Sequence, residues 1–294
     1  MHLIITGASG QLGRRTAELV LQGPGADALI LVSRTPGAIA DLAAQGAEVR
    51  FGDFGEPASL LEAFAGGERM LLISTTDLER RVEQHRSAIR AAAAAGVGHV
   101  VYTSVLSPQP PNPAVVAPSH HATERALEES GLAWTFLRNS LYAEYQVPEA
   151  AGSIATGRLV HNRGQGRVAY VSREDCAAVA AAVLAGPGHA GGAYDVTGPE
   201  LFGAADLAAL YGHIGGRPVE AVTLDDESFV AGLVGNAEGN DHLRYGAELV
   251  ASFGRSIRDG YMQSCTDTVE SLTGRAARTL REVLEAHRGE FAAS

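Results

Sequence analysis

Lysine is missing from the chain: 294 residues carry 23 basic side chains, and all of them are arginine. The absence excludes a Walker A phosphate loop, a Schiff-base lysine of the pyridoxal or aldolase kind, and a Tyr-x-x-x-Lys reductase dyad. Abundant Ala, Gly and Arg point to GC-rich coding as its origin, and the chemical exclusion holds regardless. Cysteine is nearly absent. Cys176 and Cys265 make no disulfide framework and fit a reducing compartment. With 34 acidic residues the net charge is −11, so no basic face and no nucleic-acid partner are expected. A Gly-x-Ser-x-Gly elbow is also missing, which argues against an α/β-hydrolase. Apart from adjacent His120 and His121, the histidines show no close ligand spacing, and no metal is expected. Residues 91–123 contain no Asp, Glu or Arg, yet Gly96, Gly98 and Pro108, Pro110, Pro111, Pro113 and Pro118 break the run, so no membrane span is expected. The start Met1-His2-Leu3-Ile4-Ile5 reaches a glycine loop at once and leaves no room for a secretory leader, the pattern of a cytoplasmic protein.

What is present is 46% hydrophobic residues in short, punctuated runs. Strands are predicted at 2–6, 28–33, 47–51, 69–74, 99–103 and 133–137. Helices are predicted at 11–22, 37–45, 57–65, 79–95 and 119–130. This alternation is that of an α/β protein with a Rossmann-type, doubly wound parallel sheet. After residue 140 the pattern loosens into a helix at 141–151, Gly-rich strands within 158–171 and a helix at 173–185. Ala193-Tyr194-Asp195-Val196 reads as a strand returning to the main sheet. Helices at 203–215, 225–235, 242–257 and 275–287 complete the chain. The expected organisation is a cofactor domain over 1–140 and a smaller C-terminal α+β substrate lobe over 141–294, with the chain crossing between them more than once. The run from Arg275 to Leu284 reads as a surface helix with one basic face.

Directly after the first strand stands Gly7-Ala8-Ser9-Gly10-Gln11-Leu12-Gly13, followed by a helix. Glycines there let the backbone approach a pyrophosphate, and the helix N-terminus points free N–H groups at it. The second strand ends in Ser33-Arg34-Thr35, where an NAD site usually carries an acidic residue. A guanidinium among hydroxyls suits a 2′-phosphate, so NADP(H) is the expected cofactor. Arg14 and Arg15 stand close enough in sequence to add charge. In Gly52-Asp53-Phe54, Asp53 is read either as a partner of the adenine amino group, with Phe54 beside the ring, or as a cap for the helix near Pro57. Ser74 and Thr75 close the fourth strand, where ligands bind open α/β sheets.

Together with Gly52-Asp53-Phe54, His99-Val100-Val101-Tyr102-Thr103-Ser104, His120-His121-Ala122-Thr123-Glu124 and Thr135-Phe136-Leu137-Arg138-Asn139, the loop Thr6–Gly13 resembles the NmrA-like, atypical branch of the short-chain dehydrogenase/reductases. The likeness is to the triphenylmethane reductases and type 2 NAD(P)H:quinone oxidoreductases, and beyond mid-chain it extends only to element order. Typical superfamily members donate a proton from Tyr and lower its pKa with Lys four residues on. By the resemblance those positions fall on Val116 and His120, so the dyad is absent. It implies that Asn139 and Tyr142 face the nicotinamide and substrate. Tyr145 competes with Tyr142, and His121 with His120. His120, in the first turn of a helix whose dipole disfavours its protonated form, is the local candidate to orient ribose or bond a substrate oxygen. Thr103 and Ser104 are candidate donors.

The missing acid selects the substrates. An ordinary ketone becomes an alkoxide and needs a strong acid, whereas a quinone becomes a phenolate-type oxygen of pKa about 10. A cationic dye carbon takes hydride with no proton at all. The expected activity is NADPH-dependent hydride transfer to a quinone or quinone-like aromatic small molecule, in a chain that could pair as a homodimer. Two rivals are an NADP(H)-sensing regulator without turnover and an enzyme that reduces or epimerises an aromatic polyketide.

Overall fold

The computed structural model describes residues 1–23, 28–235 and 240–291. Strands β1 (His2–Thr6), β2 (Ala28–Ser33), β3 (Glu48–Phe51), β4 (Arg69–Leu72), β5 (His99–Val105) and β6 (Ala133–Asn139) alternate with helices. These are α1 (Gln11–Gln22), α2 (Ala40–Ala43), α3 (Leu60–Phe64), α4 (Arg81–Ala94) and α5 (Ala117–Glu128). The rest of the chain contains α6 (Gln146–Thr156), β7 (Arg158–His161), α7 (Arg173–Ala185), β8 (Gly192–Val196), α8 (Ala204–Gly215) and β9 (Glu220–Thr223). It ends with α9 (Asp226–Val234), α10 (Asp241–Arg258), α11 (Thr268–Thr273), α12 (Leu280–Ala286) and α13 (Arg288–Phe291). Among the described residues no helix is long and apolar enough to cross a membrane.

The main sheet runs β3-β2-β1-β4-β5-β6-β8, and every pairing is parallel. Helices cover both faces, so a central strand such as His-Val-Val-Tyr-Thr-Ser-Val of β5 is buried throughout, as a parallel strand must be. The order reverses between β1 and β4, and the crevice at their carboxyl ends is where this fold binds ligands. The returning strand at 193–196 is β8, paired with β6 from Thr135↔Gly192 to Asn139↔Val196. Helix α7 also belongs to this layer: Cys176, Val179, Ala180 and Val183 share a core with Leu3, Leu29 and Leu31. Arg15 of α1 holds Glu174 of α7 at 2.6 Å.

The C-terminal lobe is α+β, with β7 and β9 paired in parallel beside α6, α8 and α12. Here the predicted elements differ most. Only 158–161 of the 158–171 stretch forms a strand, and Val168 and Val171 make single bridges to Phe202 and Tyr142. Its partner β9 has four residues, too short for periodicity to reveal. The single helix expected at 275–287 is two helices. Gly274, at φ +71°, ends α11, and the reciprocal Thr279–Glu282 capping box starts α12. The first of the intervening arginines is turned inward rather than standing on a free basic face, and the backbone N–H of the second points the same way. Arg275 pairs with the buried Asp175 of α7 at 2.8 Å, and Arg278 N–H donates to the same carboxylate.

Candidate functional site

The β1–α1 turn is built on close backbone approach. Gly7 sits at φ +62°, and a Cβ on Gly13 would lie 2.4 Å from Gly7 O. Gly10 caps α1 with no side-chain bond, which leaves the first N–H groups of the helix free at the carboxyl edge of the sheet. Ser33 Oγ donates to Ser9 Oγ at 2.9 Å and accepts Thr35 N–H at 3.0 Å, tying the turn to the end of β2. Beside this knot Arg34 is exposed, and no carboxylate among the described residues pairs with it. Arg14 and Arg15 differ. Arg14 is bonded to Asp41, and Arg15 to Glu174 and Glu18, and neither lines the cleft that Arg34 borders.

The glycine turn, Ser33 and Arg34 line one cleft of about 540 Å³. Gly7, Ser9, Gly10, Gln11, Leu12, Gly13, Arg34, Asp53, Phe54, Ser74, Thr75, Thr103 and Tyr142 all face it. Asp53 does not cap the helix near Pro57, whose cap residue is Glu56. Its Oδ1 accepts Gly55 N–H at 2.8 Å in a local turn. Strand β4 stops at Leu72 rather than Ser74, because Ser74 N–H turns to Thr103 Oγ1 at 2.9 Å. Thr103 thereby serves as a clasp between the ends of β4 and β5. One buried polar atom of the lining, Thr75 Oγ1, has no partner among the described residues, as expected where a ligand supplies one. The glycine cradle, the free helix N-terminus and the unpaired Arg34 fit a phosphorylated dinucleotide.

His120 and Asn139 do not line the cleft. His120 is buried on the inner face of α5, with Nδ1 2.8 Å from Tyr102 Oη and Nε2 3.2 Å from Arg81 Nη1. A guanidinium only donates, so Nε2 accepts and Nδ1–H donates to Tyr102. Burial first, and Arg81 second, hold the ring well below the ordinary histidine pKa, in place of the helix dipole expected from sequence. Asn139, at the end of β6, donates from Nδ2 to Tyr142 Oη at 3.5 Å, and its Oδ1 is buried without a partner. Tyr142 precedes a short turn at Ala143–Tyr145 rather than lying in the predicted helix. Burial raises its phenol pKa above the ordinary value, so it remains a proton-bearing donor at neutral pH. The Arg173 guanidinium lies 5.2 Å from the Tyr142 ring and 5.1 Å from that of Tyr145.

Sequence reasoning missed Arg81, Arg173 and His85. His85 Nε2 accepts Thr75 N–H at 3.1 Å, and its Nδ1 lies 2.9 Å from Thr123 Oγ1. Thr123 spends its own hydrogen on Ser119 O, so His85 Nδ1 is the donor. Burial, reinforced by Arg81, lowers its pKa to about 3. For Arg81 and His85 the local signal was the clustering of Arg80, Arg81, Gln84 and His85 after the fourth strand; Arg173, which opens α7, had none of that kind.

Residues 7–187 match the family model described as NAD(P)H-binding. Over 282 residues the chain is 35% identical to quinone oxidoreductase 2 of Escherichia coli (strain K12), with 95% of this chain and 96% of that one covered. It is 30% identical over 292 residues to an NAD(P)H azoreductase of Xenophilus azovorans, covering 99% and 100%. An E. coli NADPH-dependent quinone oxidoreductase complexed with NADPH matches with a TM-score of 0.90 at 34% identity, covering 97% of this chain and 99% of that chain. The Citrobacter sp. triphenylmethane reductase complexed with NADP(H) gives 0.87 at 32% identity, covering 97% and 99%.

Proposed function

The chain belongs to the NAD(P)H-binding family of oxidoreductases, and from that premise we propose that it reduces quinones or quinone-like conjugated aromatics with NADPH, without a Tyr–Lys acid. The observation that carries this reading is the composition of the cleft wall. A dinucleotide cradle and an unpaired arginine stand at one end, and at the other stand the Tyr142 phenol, threonine hydroxyls and the guanidiniums of Arg81 and Arg173, with no Tyr–Lys acid among them. The relatives are named for quinone, azo and triphenylmethane acceptors, all of them electron-poor and conjugated.

In this reading the α1 N-terminus and the Gly7–Gly13 turn hold the pyrophosphate, and Arg34 holds the 2′-phosphate. Phe54 and the free oxygen of Asp53 flank the adenine. Bound there, the dihydronicotinamide supplies hydride. Thr75 and Thr103 border the path to the acceptor. Tyr142, oriented by Asn139, donates a hydrogen bond to an acceptor oxygen, and its raised pKa suits a donor that need not ionise. Such a donor helps an oxygen of pKa about 10 and is too weak for an alkoxide. The small aromatic acceptor is held over this edge between Tyr142, Tyr145 and Arg173, which also shed water from it.

The test is steady-state NADPH oxidation with benzoquinones and naphthoquinones set against an unactivated aliphatic ketone. Quinones are expected to turn over and the ketone not. Reduction of the ketone at comparable kcat/KM would contradict the proposed absence of a strong acid.

A further inference from the structure

The lysine-free sequence leaves the first turn of α5 without the cation a typical reductase places there. A different arginine stands beside that turn. Arg81 opens α4 with 6% of its surface exposed, yet it lines the cleft. Its Nε donates to Thr75 O at 2.8 Å, and its Nη1 is 3.2 Å from both Ser119 Oγ and His120 Nε2. Tyr102 Oη backs His120 from the other side at 2.8 Å. Three contacts thus hold the guanidinium in place, one of them through a ring that is itself fixed from behind. A cation this buried ordinarily has a carboxylate partner, and Arg81 has none within ion-pair distance among the described residues. Asp77, on the same loop, is bound to Arg80 at 2.8 Å and also receives Gln84 Nε2. The remaining nitrogen, Nη2, has no hydrogen-bond partner among the described residues, and the residue lines the cleft. Thr75 Oγ1, on the loop Arg81 grips, is buried and unpartnered too.

We propose that Arg81 is a ligand-contacting cation of this cleft, donating from Nη2 to a ligand oxygen beside the carboxyl ends of β4 and β5, with His120 and Tyr102 as its positioning residues. The inference rests on the reductase reading above and gives it an electrostatic centre. Two oxygens share the required chemistry: a ribose hydroxyl of the cofactor, and the acceptor oxygen. In the reaction NADPH + quinone + H⁺ → NADP⁺ + hydroquinone, the electron pair of the broken C–H bond enters the quinone. The acceptor is then a hydroquinone monoanion until it takes a proton from water. A fixed guanidinium at that oxygen is an oxyanion-type donor needing no reorganisation. It also explains His120: a neutral ring whose lone pair aims Arg81 is of more use there than an imidazolium that would repel it.

The experiment compares the parent with Arg81→Leu, Arg81→Gln and Arg81→Lys, reading three quantities. These are NADPH Kd by fluorescence titration, kcat/KM for a benzoquinone, and kcat/KM for a cationic triarylmethane dye that has no oxygen to charge. If Nη2 serves the acceptor oxygen, the neutral variants lose about a hundredfold in quinone kcat/KM. The dye and NADPH Kd then change less than about threefold, and Arg81→Lys recovers at least tenfold of the loss. If it serves the ribose, NADPH Kd rises about tenfold or more and both acceptors fall together. Either pattern upholds the contact and identifies its oxygen. Should Arg81→Leu not fold, Arg81→Gln carries the same test, since it can retain the bond to Thr75 O. Quinone kcat/KM and NADPH Kd both within about threefold of the parent, in folded neutral variants, overturn the proposal. If the parent itself consumes no NADPH with any acceptor, the reductase reading fails, and the Kd arm alone decides for or against Arg81.

Discussion

The two ends of the cleft are built by opposite means. At the phosphate end the working groups are backbone N–H donors, glycines and one exposed arginine. At the inner end the lining residues Arg81, Thr75 and Tyr142 are held from behind by buried side chains: Arg81 by His120 and His120 by Tyr102, the Thr75 backbone N–H by His85 and His85 by Thr123, Tyr142 by Asn139. The first end recognises a ligand by charge and by how closely backbone can approach it. The second depends on internal order, because each buried polar group is correct only while its neighbour is in place. Damage at the first end should therefore appear in cofactor binding. Damage at the second should appear in turnover, or in stability as the histidines titrate.

The largest expected effect is at the glycine turn. Gly13→Val places carbon 2.4 Å from Gly7 O, where backbone must shift. NADPH affinity should fall more than about a hundredfold, with roughly 1–3 kcal/mol of lost stability from overpacking, read by NADPH titration and by Tm. Next, Arg34→Ala removes one charge-assisted contact of about 1.5–3 kcal/mol. NADPH Kd should rise some ten- to hundredfold, while NADH Kd moves less than about twofold. Equal losses for both cofactors would remove Arg34 from the 2′-phosphate.

The inner end answers to pH instead. His85 at that end, and His99 at the opposite, amino end of β5, have pKa values lowered to about 3 and about 4, both chiefly by burial. His120 is lowered as well. In the unfolded chain these rings titrate near 6.5. The unfolded state therefore takes up protons first, and the stability the neutral rings confer is complete above about pH 6.5 and lost as pH falls toward the folded values. Each added proton steepens the loss by up to about 1.4 kcal/mol per pH unit. Urea midpoints measured from about pH 7 down to pH 4 should fall steadily, and His85→Asn should flatten that slope. The smallest effect is reserved for Arg15, whose pair with Glu174 joins α1 to α7 at the surface. Arg15→Ala should cost about 0.5 kcal/mol in urea unfolding and leave the NADPH to NADH preference unchanged, which would isolate Arg34 as the selecting charge.

The same contrast governs what could be read from sequence. The phosphate end is local: Gly7 through Gly13 and Ser33-Arg34-Thr35 are contiguous, and the strand–turn–helix rule fixes what they do. The parallel strands were legible because short apolar runs alternated with amphipathic ones, and even the return of residues 193–196 was visible. The inner end is not local. Arg81 meets His120 across 39 positions, and His85 meets Thr123 across 38, so no window contains either pair. A histidine in a helix's first turn reads as solvated or ligand-facing, and only packing of α4 against β5 and α5 turns it inward. In the C-terminal lobe β9 is a four-residue strand whose partner lies 62 positions away, and the break between α11 and α12 hung on the backbone at Gly274.

The central claim is that both ends serve a single reduction. A single-turnover measurement tests it: protein loaded with one equivalent of NADPH is mixed rapidly with a naphthoquinone, and NADPH absorbance is followed. One exponential phase is expected, consuming the bound NADPH and yielding an equal amount of hydroquinone. NADPH held tightly but left unconsumed by quinones, azo compounds and cationic dyes alike would contradict it, and would make the cleft a sensor of the cofactor instead.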